Sequence, residues 1–114
     1  MHTLVQALEA GKEILTIVEG KKDKQALEAF GFTHIIALEQ RPLFVVVESI
    51  EGKEIQILTD LDSEGKKLYS ILSHELQKRG VRINNLLRNQ LFKTALRHIE
   101  GLIHFKEKHP ELFQ

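Results

Sequence analysis

Cysteine is absent from the sequence. That excludes disulfides, a thiol nucleophile and any cysteine-based zinc site. No stretch approaches the roughly 20 consecutive apolar residues that a membrane-spanning helix needs. The opening, MHTLVQALEAGKE, lacks the basic region and long apolar core of a signal peptide, so the expected compartment is the cytoplasm and no membrane is expected as a partner. Net charge is missing too: 16 Lys and Arg balance 16 Asp and Glu. No global field pulls the chain onto nucleic acid or a membrane, and any such attraction must come from a local patch. Nor is there a Pro/Gly/Ser-rich linker, an internal repeat or a low-complexity segment. What remains is 114 residues, 42% hydrophobic and 28% charged, which suits a single domain with one core.

Aspartate is the most informative scarcity. Among the 16 acids only Asp23, Asp60 and Asp62 are aspartates; the rest are glutamates. Glutamate serves as the general solubilising acid. The short aspartate side chain holds its carboxylate close to the backbone, which suits metal binding. All three aspartates lie beside apolar, strand-like runs.

The hydrophobic pattern predicts alternating helices and strands. Residues 2–10 read as a helix with Leu4, Val5 and Leu8 on one face and Gly11 as its stop. Residues 14–18 read as a buried strand, 22–30 as a helix closed by Gly31, and 34–38 as a second strand. In RPLFVVVESI the propensity of Val45–Val47 favours a strand. A parallel third strand at 55–59 needs a crossover before it, usually helical, and Pro42 suits a first helical turn; a helix over 42–51 is therefore expected. Residues 63–79 form an amphipathic helix with Leu68, Ile71, Leu72 and Leu76 inward and Gly80 at its end. A fourth strand starts at 81–83, and 86–108 reads as a further helix with Gly101 as a kink. The fold class expected is α/β, a parallel sheet covered by helices on both faces. Ligands in such sheets bind beyond the carboxyl ends of the strands, where strand order reverses.

Glu19 closes the first predicted strand and Asp60 the third. Asp60 and Asp62, two apart in extended chain, point to one side and repel each other unless something offsets the charge. A divalent cation such as Mg²⁺ or Mn²⁺, which takes hard oxygen ligands, would do so. Glu19 is the third acid, able to hold a second ion through its waters or to move a proton. Asp23 lies one turn further on and would support the ligands from behind. Lys21, Lys22, Lys66 and Lys67 flank both acidic loops and suit a phosphate-bearing ligand. A plainer reading stays open: Asp62 or Ser63 simply caps the 63–79 helix. Phosphatases and dehalogenases also use D-x-D, but there the pair closes the first strand.

The paired stretches IVEGKKD and ILTDLDSEGKKL resemble the Toprim domain, the catalytic module shared by topoisomerases, primases and some nucleases. Its marks are Glu-Gly after one strand and D-x-D, often trailed by Glu-Gly, after another. Glu19 and Gly20 match the first; Asp60, Asp62, Glu64 and Gly65 match the second; Asp23 matches an acid recurrent in the primase-like and nuclease-like branches. The resemblance covers about residues 13–85, leaving 86–114 as a helical extension. It implies a Rossmann-like, four-stranded parallel sheet between helices, Mg²⁺ on Asp60 and Asp62, and Glu19 as acid or base. A topoisomerase needs a nucleophilic tyrosine on a separate domain, and the lone Tyr69 sits at helix spacing in a structural position. A primase brings a zinc-binding domain and a long polymerase region. The rRNA-maturation nucleases carry an added RNA-binding domain. A small stand-alone Toprim protein is the form this sequence is most similar to.

Two functions are expected from different classes. One is Mg²⁺-dependent nucleic-acid phosphodiester chemistry of the nuclease type, with Glu19, Asp60 and Asp62 as the catalytic set. The other is a non-catalytic nucleic-acid-binding or regulatory module. Either takes RNA or DNA as partner, with Lys21, Lys22, Lys66, Arg88 and Lys93 as candidate backbone contacts within a basic excess after residue 80. The six histidines, His2, His34, His74, His98, His104 and His109, show no metal-ligand spacing and are read as surface or packing residues. Phe92, Phe105 and Phe113 are expected to pack rather than to stack on bases.

Overall fold

A computed structural model describes residues 3–114; His2, the first residue of the helix expected at 2–10, lies outside the described residues. The order of elements is α1 (Leu4–Gly11), β1 (Leu15–Val18), α2 (Lys21–Ala29), β2 (Ile35–Ala37), α3 (Leu43–Ser49), β3 (Glu54–Ile57), α4 (Ser63–Lys78), β4 (Arg82–Ile83), α5 (Leu86–Phe92), a 3-10 turn (Ile99–Gly101), α6 (Leu102–Lys108) and a final 3-10 turn (Pro110–Phe113). The four strands form one parallel sheet in the order β2-β1-β3-β4. No helix among the described residues is long and apolar enough to cross a membrane.

Strand period places successive side chains on opposite faces, and the sheet buries both. Val18 and Leu58 point into a core with α1, α2, α5 and α6, through residues such as Leu8, Leu27, Leu91 and Leu102. Ile17, Ile55 and Ile57 point into a second core with α3 and α4, through Val46, Val47, Leu72 and Leu76. Coverage on both faces explains why even the polar Thr16 of β1 and Gln56 of β3 are buried. Phe92, Phe105 and Phe113 pack against the first core as expected.

RPLFVVVESI is helical, as the crossover argument requires, with Pro42 just before the first turn of α3. The chain therefore yields local β-propensity to topology. Gly31 and Gly80 take positive φ, 94° and 83°, behind α2 and α4. Gly11, expected as a stop, is instead the buried last residue of α1. In α4, Leu72 and Leu76 are buried, but Ile71 is exposed.

The expected helix over 86–108 is broken. Thr94 Oγ1 donates to the Leu91 carbonyl at 2.7 Å and accepts from the Leu96 N–H at 3.1 Å. A threonine hydroxyl bonded this way competes with the helical ladder. Residues 93–98 leave the helix, and buried Leu96 and Ile99 fasten the segment back onto the body. Gly101 ends the 3-10 turn that follows and so lies between elements rather than at a kink.

Candidate metal centre

β1 and β3 are neighbours, and β2 lies on the far side of β1. Strand order thus reverses between β1 and β3, the position where open parallel sheets bind ligands. Glu19 follows β1 directly, and Asp60 lies three residues after β3. Their convergence is fixed by a hydrogen bond: the backbone N–H of Asp60 donates to Glu19 Oε2 at 2.7 Å. The Glu19 carbonyl meanwhile accepts from the Glu39 N–H at 2.9 Å. One residue ties together the ends of three strands.

Asp60 and Asp62 come together as the spacing predicts. Asp62 is also the N-cap of α4, its Oδ1 accepting from the Gly65 N–H at 2.8 Å. Capping uses one oxygen and leaves Oδ2 facing the site, so the cap does not preclude a ligand role. Gly65 cannot carry a side chain here. A Cβ at this position would lie 1.8 Å from the Asp60 carbonyl oxygen, inside any contact distance, so α4 packs onto the loop only because residue 65 is glycine. Thr59 Oγ1 fastens the same junction by donating to the Gly65 carbonyl at 2.7 Å.

The unforeseen member is His98. Its Nδ1 lies 3.3 Å from Asp60 Oδ2 and 3.6 Å from Asp62 Oδ2. One donor atom from each of Asp60, Asp62 and His98 falls within 4.8 Å of the others. Glu19 stands beside this trio, engaged with the Asp60 backbone. The sequence, read as one helix through residue 94, carried no signal for His98; spacing along the chain could not have found a contact across 38 residues.

Asp23 sits behind the acids on the first turn of α2, buried, with Oδ2 accepting from the Gly20 N–H at 3.0 Å. Burial, reinforced by the charge of Asp60, pushes its carboxyl up to about 6. Glu19 is raised as well, chiefly by desolvation and then by Asp60 and Asp62, although the Asp60 N–H opposes the shift. His98 is raised by its contact with Asp60. Desolvation leads for the two acids and the Asp60 carboxylate for the histidine, and the charge of Asp60 adds to all three.

Arg88 departs from the sequence reading. It is 4% exposed and faces inward, so it is not a surface contact for nucleic acid. Its guanidinium donates to the carbonyls of Ile57 at 3.2 Å, Thr59 at 2.7 Å and Asp60 at 3.3 Å, and it lies over the rings of Tyr69 and Phe92. The cation holds the β3–α4 loop from behind and partly offsets the acids. Tyr69 donates to Asn85 Oδ1 at 2.7 Å, a structural position as expected. Lys21, Lys22, Lys66 and Lys93 are exposed, and the Lys66 amine lies over Phe92.

No protein-family model matches the sequence. The chain is 30% identical to a UPF0292 protein of Methanocaldococcus jannaschii over 99 residues, which is 81% of this chain and 77% of the relative. It is 35% identical to a UPF0292 protein of Pyrococcus abyssi over 88 residues, 75% of this chain and 67% of that one. A solved structure of a protein from Aquifex aeolicus matches with a TM-score of 0.79 at 30% identity, across 89% of this chain and 99% of its own. The fold is therefore shared along nearly the whole of a solved relative, and by its identity to the archaeal proteins the chain belongs to the UPF0292 family.

Proposed function

We propose that the protein is a Toprim-type, metal-dependent enzyme acting on nucleic-acid phosphodiester bonds, most simply a nuclease. The observation that carries this reading is the bond of Glu19 to the backbone of Asp60, whose carboxylate clusters with that of Asp62, at the reversal of strand order. The donor chemistry fits a divalent cation. Two carboxylate oxygens and an imidazole nitrogen converge, Glu19 beside them is raised chiefly by desolvation and further by the charges of Asp60 and Asp62, and no lysine or arginine closes an ion pair with Asp60 or Asp62 among the described residues.

Asp60 and Asp62 would hold Mg²⁺ or Mn²⁺. When bound, the ion supplies charge stabilisation to the phosphoryl oxygens and a more acidic water. Glu19 takes or gives the proton. Its raised pKa moves it toward the range where one carboxyl can do both near neutral pH. Asp23 and Gly20 set the start of α2, and Gly65 sets the start of α4. Lys21, Lys22, Lys66 and Lys93 offer point charges to the nucleic-acid backbone. The cytoplasm is the compartment in keeping with this substrate.

The experiment is cleavage of end-labelled RNA and DNA by purified protein with Mg²⁺ or Mn²⁺, wild type beside Asp60→Asn. Metal-dependent cleavage lost in the variant supports the reading. Equal cleavage by both proteins would point to a contaminant. Binding without cleavage across a broad panel would favour the non-catalytic module.

A further inference from the structure

We propose that His98 is a direct ligand of the ion held by Asp60 and Asp62, and that its nitrogen tilts the site toward Mn²⁺ over Mg²⁺. This rests on reading the two aspartates as metal ligands.

A direct ion pair explains the His98 geometry poorly. Charge-assisted N–H···O bonds run at about 2.7–2.9 Å, whereas Nδ1 lies at 3.3 Å and 3.6 Å from the two carboxylate oxygens. One ring N–H cannot serve both oxygens well. Adjacent ligands on an octahedral ion with bonds of about 2.1 Å sit about 3 Å apart. The observed separations are close to that spacing, with one donor atom drawn from each of three side chains.

The placement is built by the backbone. The Ile99 N–H donates to Asp60 Oδ1 at 2.8 Å, and the Leu61 N–H donates to the Arg97 carbonyl at 2.8 Å. These bonds bracket residue 98. Ile99 is fully buried, while the His98 side chain is 59% exposed. Oδ1 of each aspartate is occupied by a backbone N–H, Ile99 for Asp60 and Gly65 for Asp62. Each Oδ2 therefore faces the imidazole. The fold spends its break in the α5 segment on bringing one exposed histidine over two acids.

Imidazole favours first-row transition ions, whereas magnesium prefers oxygen ligands and keeps its waters. A carboxylate pair alone would serve either ion. Adding the nitrogen should strengthen Mn²⁺ much more than Mg²⁺.

The test uses the full chain, free of any affinity tag, as wild type, His98→Ala and Asp60→Asn. Mn²⁺ and Mg²⁺ affinities are measured by calorimetry, and bound Mn²⁺ is examined by pulsed EPR for nitrogen coupling. His98 is exposed, so its truncation leaves no cavity. Loss of a partner that merely orients a ligand already costs about 10–100-fold in affinity. His98→Ala should therefore weaken Mn²⁺ at least about tenfold, weaken Mg²⁺ much less, and abolish the nitrogen coupling. Suppose instead that Mn²⁺ binds in an Asp60-dependent way without nitrogen coupling, and that His98→Ala keeps the same Mn²⁺/Mg²⁺ ratio. The histidine role is then overturned while the carboxylate site stands. If Asp60→Asn leaves Mn²⁺ binding unchanged, the metal centre itself is overturned, and this inference falls with it.

Discussion

Glu19 accepts a hydrogen bond from the backbone N–H of Asp60 at 2.7 Å, so the candidate proton carrier is tied to the chain of the candidate metal ligand. The tie separates chemistry from architecture. Glutamine at residue 19 can still accept from that N–H, but it can neither take up a proton nor add charge. In Glu19→Gln, cleavage should fall by roughly 10²–10⁴-fold, the usual worth of acid–base catalysis, with melting temperature and Mn²⁺ affinity little changed. Kinetics beside a metal titration checks this. Full activity would make Glu19 a structural tie only, and a metal affinity as poor as that of Asp60→Asn would make it a ligand.

Gly65 gives a steric prediction. Gly65→Ala drives a Cβ into the Asp60 carbonyl, 1.8 Å away in the present geometry. Both the loop and the first turn of α4 are pinned, by Thr59, Asp62 and Arg88, so neither can retreat cheaply. Overpacking of a constrained site costs about 1–3 kcal/mol or more. The melting temperature should drop by several degrees or more, and metal affinity should fall with it. An alanine variant as stable as wild type would show that the α4 junction is looser than these contacts imply.

Much of this architecture was legible because it depends on local pattern and simple topology. The helix over Leu43–Ser49 contradicts the β-propensity of its valines, yet follows once the third strand is taken as parallel. Asp60, Asp62 and Glu19 were found because strand ends carry them. Arg88 was misjudged because composition cannot tell a solvated guanidinium from one bonded to three carbonyls. His98 was missed for a related reason. Its position depends on the chain leaving the helical ladder at Thr94, whose hydroxyl bonds Leu91 and Leu96, and on the Ile99 N–H reaching Asp60, and neither has a repeat in sequence.

Arg88 supplies a stability prediction opposite to that of a surface contact. Arg88→Met keeps an apolar stem against Tyr69 and Phe92, but strips the carbonyls of Ile57, Thr59 and Asp60 of their donor. Leaving a buried carbonyl without its donor costs about 1–3 kcal/mol. Denaturant unfolding should show that loss, whereas Lys93→Met, at an exposed position, should stay within about 0.5 kcal/mol of wild type. Similar small effects in both variants would return Arg88 to the surface set.

Asp23 predicts an unusual pH profile in the absence of divalent ions. Its carboxyl is pushed up to about 6 in the folded protein, from 3.8. Between those values the folded state binds more protons than the unfolded one, so stability falls as pH rises through that window and levels off above it. Glu19 and His98 are also raised. A raised acid and a raised base act with the same sign, each favouring the folded state more at low pH. In EDTA the melting temperature should therefore be higher at pH 5 than at pH 8. Mn²⁺ added at pH 8 should recover the loss, because it binds the native cluster and not the dispersed acids of the unfolded chain. Asp23→Asn removes the titrating group, and its side-chain oxygen can still accept from the Gly20 N–H. It should melt above wild type at pH 8 in EDTA and show a shallower slope with pH. Asp23→Ala, which loses the acceptor too, should melt below Asp23→Asn throughout. Paired melting curves from pH 5 to pH 8 decide the matter: a wild-type profile that rises with pH, or an asparagine variant less stable than wild type at pH 8, would show that the buried carboxylate is stabilised by its surroundings rather than strained by them.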